Sequence, residues 1–295
     1  MPAELIDGVA IARSIHEDVA KNTVSLIERG VRPGLAVVLV GDDPASAIYV
    51  RAKGKACDEA GIHSVTLQLP AETTQNELLS TVAALNEDTS IHGILVQMPL
   101  PSQIDADAVI RSIDPQKDVD GFHPVNVGKL LIGERDGFVP CTPAGIQELL
   151  KRSNVETSGR ECIIVGRSNI VGKPMAALMM QDSTTANCTV TVCHRQTADL
   201  PGHTRRADIL IVATGRPGLV TGAMIKPGAV VIDVGVNRVP DAGATRGFRL
   251  VGDVDFISAR RIASRITPVP GGVGPMTIAM LLSNTVLSAR RFAAG

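Results

Sequence analysis

Tyr49 and Lys53 stand four residues apart in the stretch YVRAKGKACDEAG (49–61), and the tyrosine is the only one among 295 residues. A helix is expected to follow Gly41-Asp42-Asp43-Pro44, and on it positions i and i+4 share a face. A phenol beside an amine offers a ring that can stack on a planar ligand and a group that can move protons. A lysine does so near neutral pH when its pKa is lowered. Arg51 and Lys55 lie two residues to either side, so the pair also reads as a surface lysine on a solvated face beside a half-buried tyrosine.

Gln97 ends an apolar run in GILVQMPLP (93–101), flanked by Val96 and Met98. Open parallel sheets place their ligands at the C-terminal ends of strands. A buried amide needs partners, which either local backbone groups or a donor such as Lys53 would supply. In KDVDGFHP (117–124), Asp118 and Asp120 put two carboxylates into one turn. One suffices to organise the turn through bonds to backbone, leaving the other for a cationic or amidine-like ligand edge. TPVPGGVGPMT (267–277) has three prolines and three glycines around Pro270, Gly271 and Gly272. That stiffness, with room for close backbone approach, suits a binding loop better than a linker.

ECIIVGRSNIVGKPMA (161–176) reads as a strand, a turn over Gly166, Arg167 and Ser168, and a helix from about Gly172. Glycines there let backbone N–H groups approach a pyrophosphate at a helix N-terminus. The spacing G-x-S-x-x-x-G departs from G-x-G-x-x-G, so an ordinary βα turn is the competing reading. After the next strand comes His194-Arg195, where an NAD site usually carries an acid. Arg195 and Arg167 instead suit a 2′-phosphate, favouring NADP.

The elements that must hold these residues are legible as periodicity. LAVVLVG (35–41), VTLQL (65–69), GILVQMP (93–99), CIIVG (162–166), TVTVC (189–193), ILIVAT (209–214) and VVIDVG (230–235) read as strands, mostly covered on both faces. Ile11, Ile15 and Val19 recur at helical spacing, Thr74 and Glu77 form a capping-box pair, and Thr142-Pro143 is read as an N-cap followed by the first helical residue. Strand–helix alternation implies α/β architecture with parallel sheets. A Gly-, Pro- and charge-rich stretch at 114–142 divides it into residues 1–140, completed by a last helix over 275–295, and a Rossmann-like domain over 141–274. Small-molecule sites favour the cleft expected between two such domains.

Composition narrows the function classes. A net charge of −1 gives no global attraction for nucleic acid or anionic membrane. No apolar run is long enough to span a bilayer, and the N-terminal stretch lacks the pattern of a signal peptide. Five cysteines without a CxxC pair fit a reducing cytoplasm, and the six histidines show no ligand spacing, so no metal is expected.

In combination, YVRAKGKACDEAGI, GILVQMPLP, DPQKDVDGFHPVN, CTPAGI, VGRSNIVGKPMA, TVCH, VIDVGVNR, GDVDF and TPVPGGVGPMT resemble the bifunctional methylenetetrahydrofolate dehydrogenase/methenyltetrahydrofolate cyclohydrolase family. The resemblance runs through essentially the whole chain. It implies a folate site lined by Tyr49, Lys53, Gln97 and Asp120, with Val96, Met98, Pro270, Gly271 and Gly272 as further substrate contacts. It implies NADP over Gly166, Arg167 and Ser168, with Arg195 at the 2′-phosphate and Val236 near the nicotinamide. Residue 195 departs from a common family pattern, in which a serine follows the histidine. The family's tyrosine positions the folate and its lysine acts at the one-carbon bridge, with the glutamine holding the amine. A cytoplasmic homodimer formed through the cofactor domain, with 237–254 as a hairpin, and a place in one-carbon metabolism and purine biosynthesis are also implied. Two rivals stand beside this reading. A dehydrogenase without the hydrolase leaves Tyr49, Lys53 and Gln97 unused, and a non-catalytic dinucleotide module leaves the folate-side residues without purpose.

Overall fold

The structure is a computed structural model that describes residues 2–243 and 247–294. In chain order, strand β1 (Glu4–Leu5) and helix α1 (Gly8–Glu28) precede β2 (Gly34–Val40), α2 (Pro44–Glu59), β3 (His63–Leu69), α3 (Gln75–Glu87) and β4 (Gly93–Val96). Next come α4 (Ala106–Ser112), α5 (Pro124–Ile132), α6 (Cys141–Arg152), β5 (Glu161–Val165), α7 (Gly172–Met179), β6 (Thr189–Cys193), α8 (Leu200–Thr204) and β7 (Ile209–Val212). The chain continues through β8 (Val230–Asp233), β9 (Asn237–Pro240), β10 (Phe248–Val251), α9 (Phe256–Ala259), β11 (Arg265–Ile266) and α10 (Val273–Phe292).

Two compact units result. One contains Arg13–Cys141 and the chain from Ile278 onward; the other contains the chain up to Ala12 and Thr142–Thr277. This differs from the sequence-based division at the start of the chain. Residues 1–12 were expected with the first domain, but β1 pairs in parallel with β11, Glu4 opposite Arg265. A two-residue strand carries almost no periodic signal, so only its distant partner reveals it. Similarly, α6 already begins at Cys141, which puts Thr142 inside the first turn instead of at the cap. The Thr142 hydroxyl shares a hydrogen bond with that of Thr277 at 3.2 Å.

In the three-stranded unit the sheet order is β3-β2-β4, parallel throughout. Every residue of β2 is buried, as a central strand covered on both faces requires. Ala36, Val38 and Val40 pack with Leu78, Val82, Leu85 and Val109 from α3 and α4 in one hydrophobic cluster. Asp43 caps α2 by accepting from Ser46 N at 2.7 Å, ahead of Pro44. The Thr74–Glu77 capping box opens α3.

The segment after α4 is tied to β4 by an unusual anchor. Lys117 is 2% exposed, and its ammonium donates to the carbonyls of Leu85, Asn86 and Asp88 at 3.1, 2.7 and 2.7 Å. It thereby satisfies the Leu85 and Asn86 carbonyls, which the end of α3 would leave without partners, and adds a second donor to the Asp88 carbonyl, which also accepts from Ile91 N at 3.1 Å. Ile94 N donates to the Lys117 carbonyl at 2.8 Å, so the segment bearing Asp118 and Asp120 runs alongside the strand that leads to Gln97.

The six-stranded unit has the order β1-β11-β8-β7-β5-β6, with parallel pairing between neighbours. Its core gathers Ile163, Val165, Leu210, Val212, Val231 and Ile266. β9 and β10 form a separate antiparallel ribbon. The predicted hairpin is therefore present, although its residues 244–246 lie outside those described. Among the described residues no helix is long and apolar enough to cross a membrane.

Lys117→Met keeps the aliphatic stem but leaves the Leu85 and Asn86 carbonyls without their donor. It is expected to cost about 2–4 kcal/mol of stability, measured by denaturant unfolding of wild type and variant in parallel; an unchanged midpoint would remove Lys117 as an anchor.

Candidate active site

Helix α2 carries Tyr49, Lys53 and Cys57 at successive i+4 positions. Exposure falls along the row: Tyr49 is 52% exposed, Lys53 9%, and Cys57 fully buried. The Lys53 amine donates to Gln97 Oε1 at 2.9 Å. Gln97 Nε2 in turn donates to the Met98 carbonyl at 2.7 Å, and Gln97 N donates to the Val38 carbonyl at 2.8 Å. The glutamine is thus fixed at both ends, and its oxygen is aimed at the amine. Val96 is buried beneath it and Met98 is half-buried.

Burial lowers the pKa of Lys53, opposed chiefly by the Asp120 carboxylate and then by Cys141 and Cys57. Burial raises Asp120, while the Lys53 charge and the adjacent Cys141 thiol pull it down. The turn between them has divided its carboxylates. Asp118 accepts from Phe122 N at 3.3 Å, His123 N at 2.8 Å and Asn126 Nδ2 at 2.8 Å, so it organises the loop. Its burial nevertheless pushes its pKa up to about 6. Asp120 is the carboxylate left to face the amine.

Cys141 was not singled out from the sequence as a site residue. It is buried, its thiol donates to the Val119 carbonyl at 3.4 Å, and Asn284 Nδ2 donates to that same carbonyl at 2.8 Å. Burial first, then the Asp120 charge, holds its thiol pKa well above the ordinary range. A lone cysteine at a helix start carries no motif, so only the fold brings it to Asp120.

In the six-stranded unit, Gly166 follows β5 at φ +134°. A Cβ there would lie 2.2 Å from the Ala213 carbonyl oxygen, and one on Gly172 would lie 2.2 Å from the Gly166 oxygen. The βα turn is therefore compressed in a way that only glycine permits. Ser168 Oγ accepts from Val171 N at 3.1 Å and Gly172 N at 3.4 Å. These helix-start donors, expected to point at a pyrophosphate, are engaged by the serine instead.

The turn opens on a cavity of about 610 Å³ lined by Gly166, Arg167, Ser168, Arg195, Thr214 and Arg216, among others. No described residue lining it is acidic. Arg216 was missed in the sequence, although a signal exists. Each of the neighbouring strands β6, β5 and β7 is followed within four residues by an arginine: 195, 167 and 216. Glycine compression together with three guanidinium-bearing residues fits a dinucleotide carrying an extra phosphate.

Val236 does not line this cavity; it stands 49% exposed just beyond β8. Pro270, Gly271 and Gly272 belong to the six-stranded unit, not to the unit of Lys53. Gly272 packs so closely on Gly8 that a Cβ on Gly8 would lie 1.8 Å from its carbonyl oxygen. Among the described residues no His, Cys, Asp and Glu group has the arrangement of a metal site.

Comparison with known proteins matches both units. Residues 6–120 match the tetrahydrofolate dehydrogenase/cyclohydrolase catalytic domain, and residues 140–293 match the NAD(P)-binding domain of the same family. The bifunctional protein FolD of Prosthecochloris aestuarii is 57% identical over 289 residues, covering 97% of this chain and 98% of that protein. A crystal structure of the bifunctional enzyme FolD, methylenetetrahydrofolate dehydrogenase/cyclohydrolase, from Campylobacter jejuni is 49% identical, with a TM-score of 0.93 over 98% of this chain and 99% of that one. The Trypanosoma brucei enzyme, crystallised with NADP cofactor and inhibitor, is 44% identical, with a TM-score of 0.94 over the whole of both chains. A buried lysine held by glutamine, an arginine-lined dinucleotide turn and full-length similarity lead to one assignment: the chain belongs to the tetrahydrofolate dehydrogenase/cyclohydrolase family.

Proposed function

We propose that the protein oxidises 5,10-methylenetetrahydrofolate with NADP+ and then hydrolyses the resulting 5,10-methenyl cation to 10-formyltetrahydrofolate. The observation that carries this reading is the buried Lys53 amine, bound to Gln97 and facing Asp120. A dehydrogenase alone has no need for that amine. The chemistry supplied by bound NADP+ is acceptance of a hydride from the methylene carbon, a step that needs alignment more than an acid or base.

Hydrolysis does need proton transfer. Water adds to the methenyl carbon and loses one proton to give a carbinolamine. Its hydroxyl then gives up the second proton as the formyl carbonyl forms, the C–N bond to N5 breaks and N5 takes up a proton, so that one proton is released overall. Lys53 handles these protons, helped by a pKa that burial lowers. Gln97 holds its Nζ in place, and Tyr49, exposed enough to receive a flat ring, positions the folate. Asp120 accepts hydrogen bonds from the pterin's amino edge, while Asp118 keeps the loop in shape. Val96 and Met98 shape the wall around Gln97, and Pro270, Gly271 and Gly272 supply backbone contacts to substrate.

Gly166, Arg167 and Ser168 hold the cofactor, with Arg195 at the 2′-phosphate and Val236 toward the nicotinamide. A homodimer through the six-stranded unit is part of this proposal, supported by the two-stranded β9–β10 ribbon, whose unpaired edges are available for association. So is a cytoplasmic setting, supported by five buried cysteines that are all free, together with a role in supplying formyl groups to purine biosynthesis. A spectrophotometric assay with methylenetetrahydrofolate, run with NADP+ and with NAD+, tests the central claim; no oxidation with either cofactor would refute it.

Lys53→Met is expected to abolish hydrolysis of isolated methenyl substrate, and wild-type rates in that variant would remove the lysine from the mechanism. The rate of hydrolysis should rise with pH through a midpoint below the ordinary lysine range. Because the Asp120 charge holds the proton on Lys53, Asp120→Asn should move this midpoint lower still, even as folate binding weakens. A midpoint that moves up would contradict the electrostatic account.

Cofactor choice follows from the arginines. At low salt kcat/KM should be higher with NADP+ than with NAD+, and the ratio should shrink in Arg195→Ala and on adding salt. Equal efficiency with both cofactors at low salt would overturn the role given to Arg195.

A further inference from the structure

Asp253, hydrogen-bonded to the Thr214–Gly215 turn of the cofactor cavity, and its neighbour Asp233 are buried carboxylates that the mechanism does not use. Asp233 ends β8, and Asp253 lies just beyond β10 and is completely buried. Among the described residues neither is paired with a cation. Asp233 accepts from Gly235 N, Asp253 N and Val254 N at 3.0, 2.9 and 3.0 Å. Asp253 faces the other way. Its Oδ2 accepts from Thr214 N at 2.5 Å and Gly215 N at 2.8 Å, and its Oδ1 accepts from Asn237 Nδ2 at 2.8 Å.

Space around the pair is reserved for these bonds. A Cβ on Gly235 would lie 2.2 Å from Asp253 Oδ1, and one on Gly252 would lie 1.8 Å from Asp233 Oδ2. Burying an anion without a counter-ion is costly, and a fold bears that cost only where several donors converge on it. The donors to Asp253 come from two segments distant in sequence. Thr214 lines the cofactor cavity and precedes Arg216. Asn237 immediately follows Val236, which does not line that cavity, and it begins the β9–β10 ribbon.

We propose that Asp253 is a positioning residue for the cofactor, tying the Thr214–Gly215 turn to the Val236–Asn237 segment so that both present one continuous wall to the dinucleotide. The inference rests on the proposed use of NADP+ and extends it to residues that touch no ligand. It accounts for how Val236, outside the cavity, is held in fixed relation to Thr214 within it. It also makes the ribbon mechanically continuous with the cofactor site.

The test is a donor–acceptor exchange in the full-length protein. Asp253→Asn retains one oxygen for the Thr214 and Gly215 N–H groups but turns an amide toward Asn237, so two donors face each other. Combining it with Asn237→Asp restores a single hydrogen bond in the opposite sense. Asp253→Asn should raise both the calorimetric Kd and the KM for NADP+ roughly tenfold. Hydrolysis of isolated methenyl substrate, which uses no cofactor, should stay within about twofold of wild type. The double exchange should recover most of the NADP+ affinity. Asn237→Ala, which deletes only one donor, should shift affinity in the same direction by less, and serves if Asp253→Asn fails to fold. Unchanged NADP+ affinity in Asp253→Asn and Asn237→Ala would overturn the proposal. So would a loss of both activities in step with no recovery on exchange, because that marks a merely structural carboxylate. Calorimetry keeps the readings separable, since a wild-type protein that binds NADP+ but oxidises no folate would fail the catalytic reading and leave this test intact.

Discussion

A lysine amine taken out of water must be compensated, and much of the three-stranded unit serves that requirement. Gln97 supplies the nearest acceptor, 2.9 Å from Lys53 Nζ. It can do so because its own amide is pinned to the Met98 carbonyl and its backbone to Val38. Asp120 supplies the opposing charge, and the loop that carries it is fixed by Asp118 and by the anchor of Lys117 in the end of α3. The result is an amine poised between burial, which drives its proton off, and a carboxylate, which keeps it on.

The six-stranded unit solves a different problem with similar means. It must admit a polyanion close to backbone, so it uses glycines where side chains would collide and arginines where phosphate charge must be met. Rigidity behind that surface comes from Asp233 and Asp253, whose acceptors draw backbone N–H groups of several loops toward one buried point. The first unit thus buries a cation for chemistry, and the second buries anions for shape.

What could be read in advance follows physical range. The parallel strands and the Thr74–Glu77 box depend on neighbours within a few residues, and they were legible. The pairing of Lys53 with Gln97 was open to inference because an amide in an apolar run demands a partner. Which of Asp118 and Asp120 shaped the turn was not decidable, since the answer depends on Asn126 and His123 closing over one of them. Cys141, Asp253 and β1 were invisible for a common reason: each gains its meaning from residues far along the chain. Arg216 differs, because its position after a third strand repeats a pattern already noted twice.

The pairing of β1 with β11 joins Glu4 to Arg265, whose side chains also meet at 3.0 Å across 261 residues of sequence. In the other unit, Asn284 donates to the carbonyl of Val119 across 165 residues. Neither unit is therefore a continuous stretch of chain, and each closes only when material from the far side of the other has been made. On a ribosome the first strand emerges with its partner still untranslated, and the loop around Val119 awaits a helix at the opposite end. Such long-range closure is slow and leaves sheet edges and apolar faces open in the meantime. For this chain, order of synthesis and order of folding cannot coincide, and α10, made long after the loop around Val119, supplies the Asn284 bond that holds that loop.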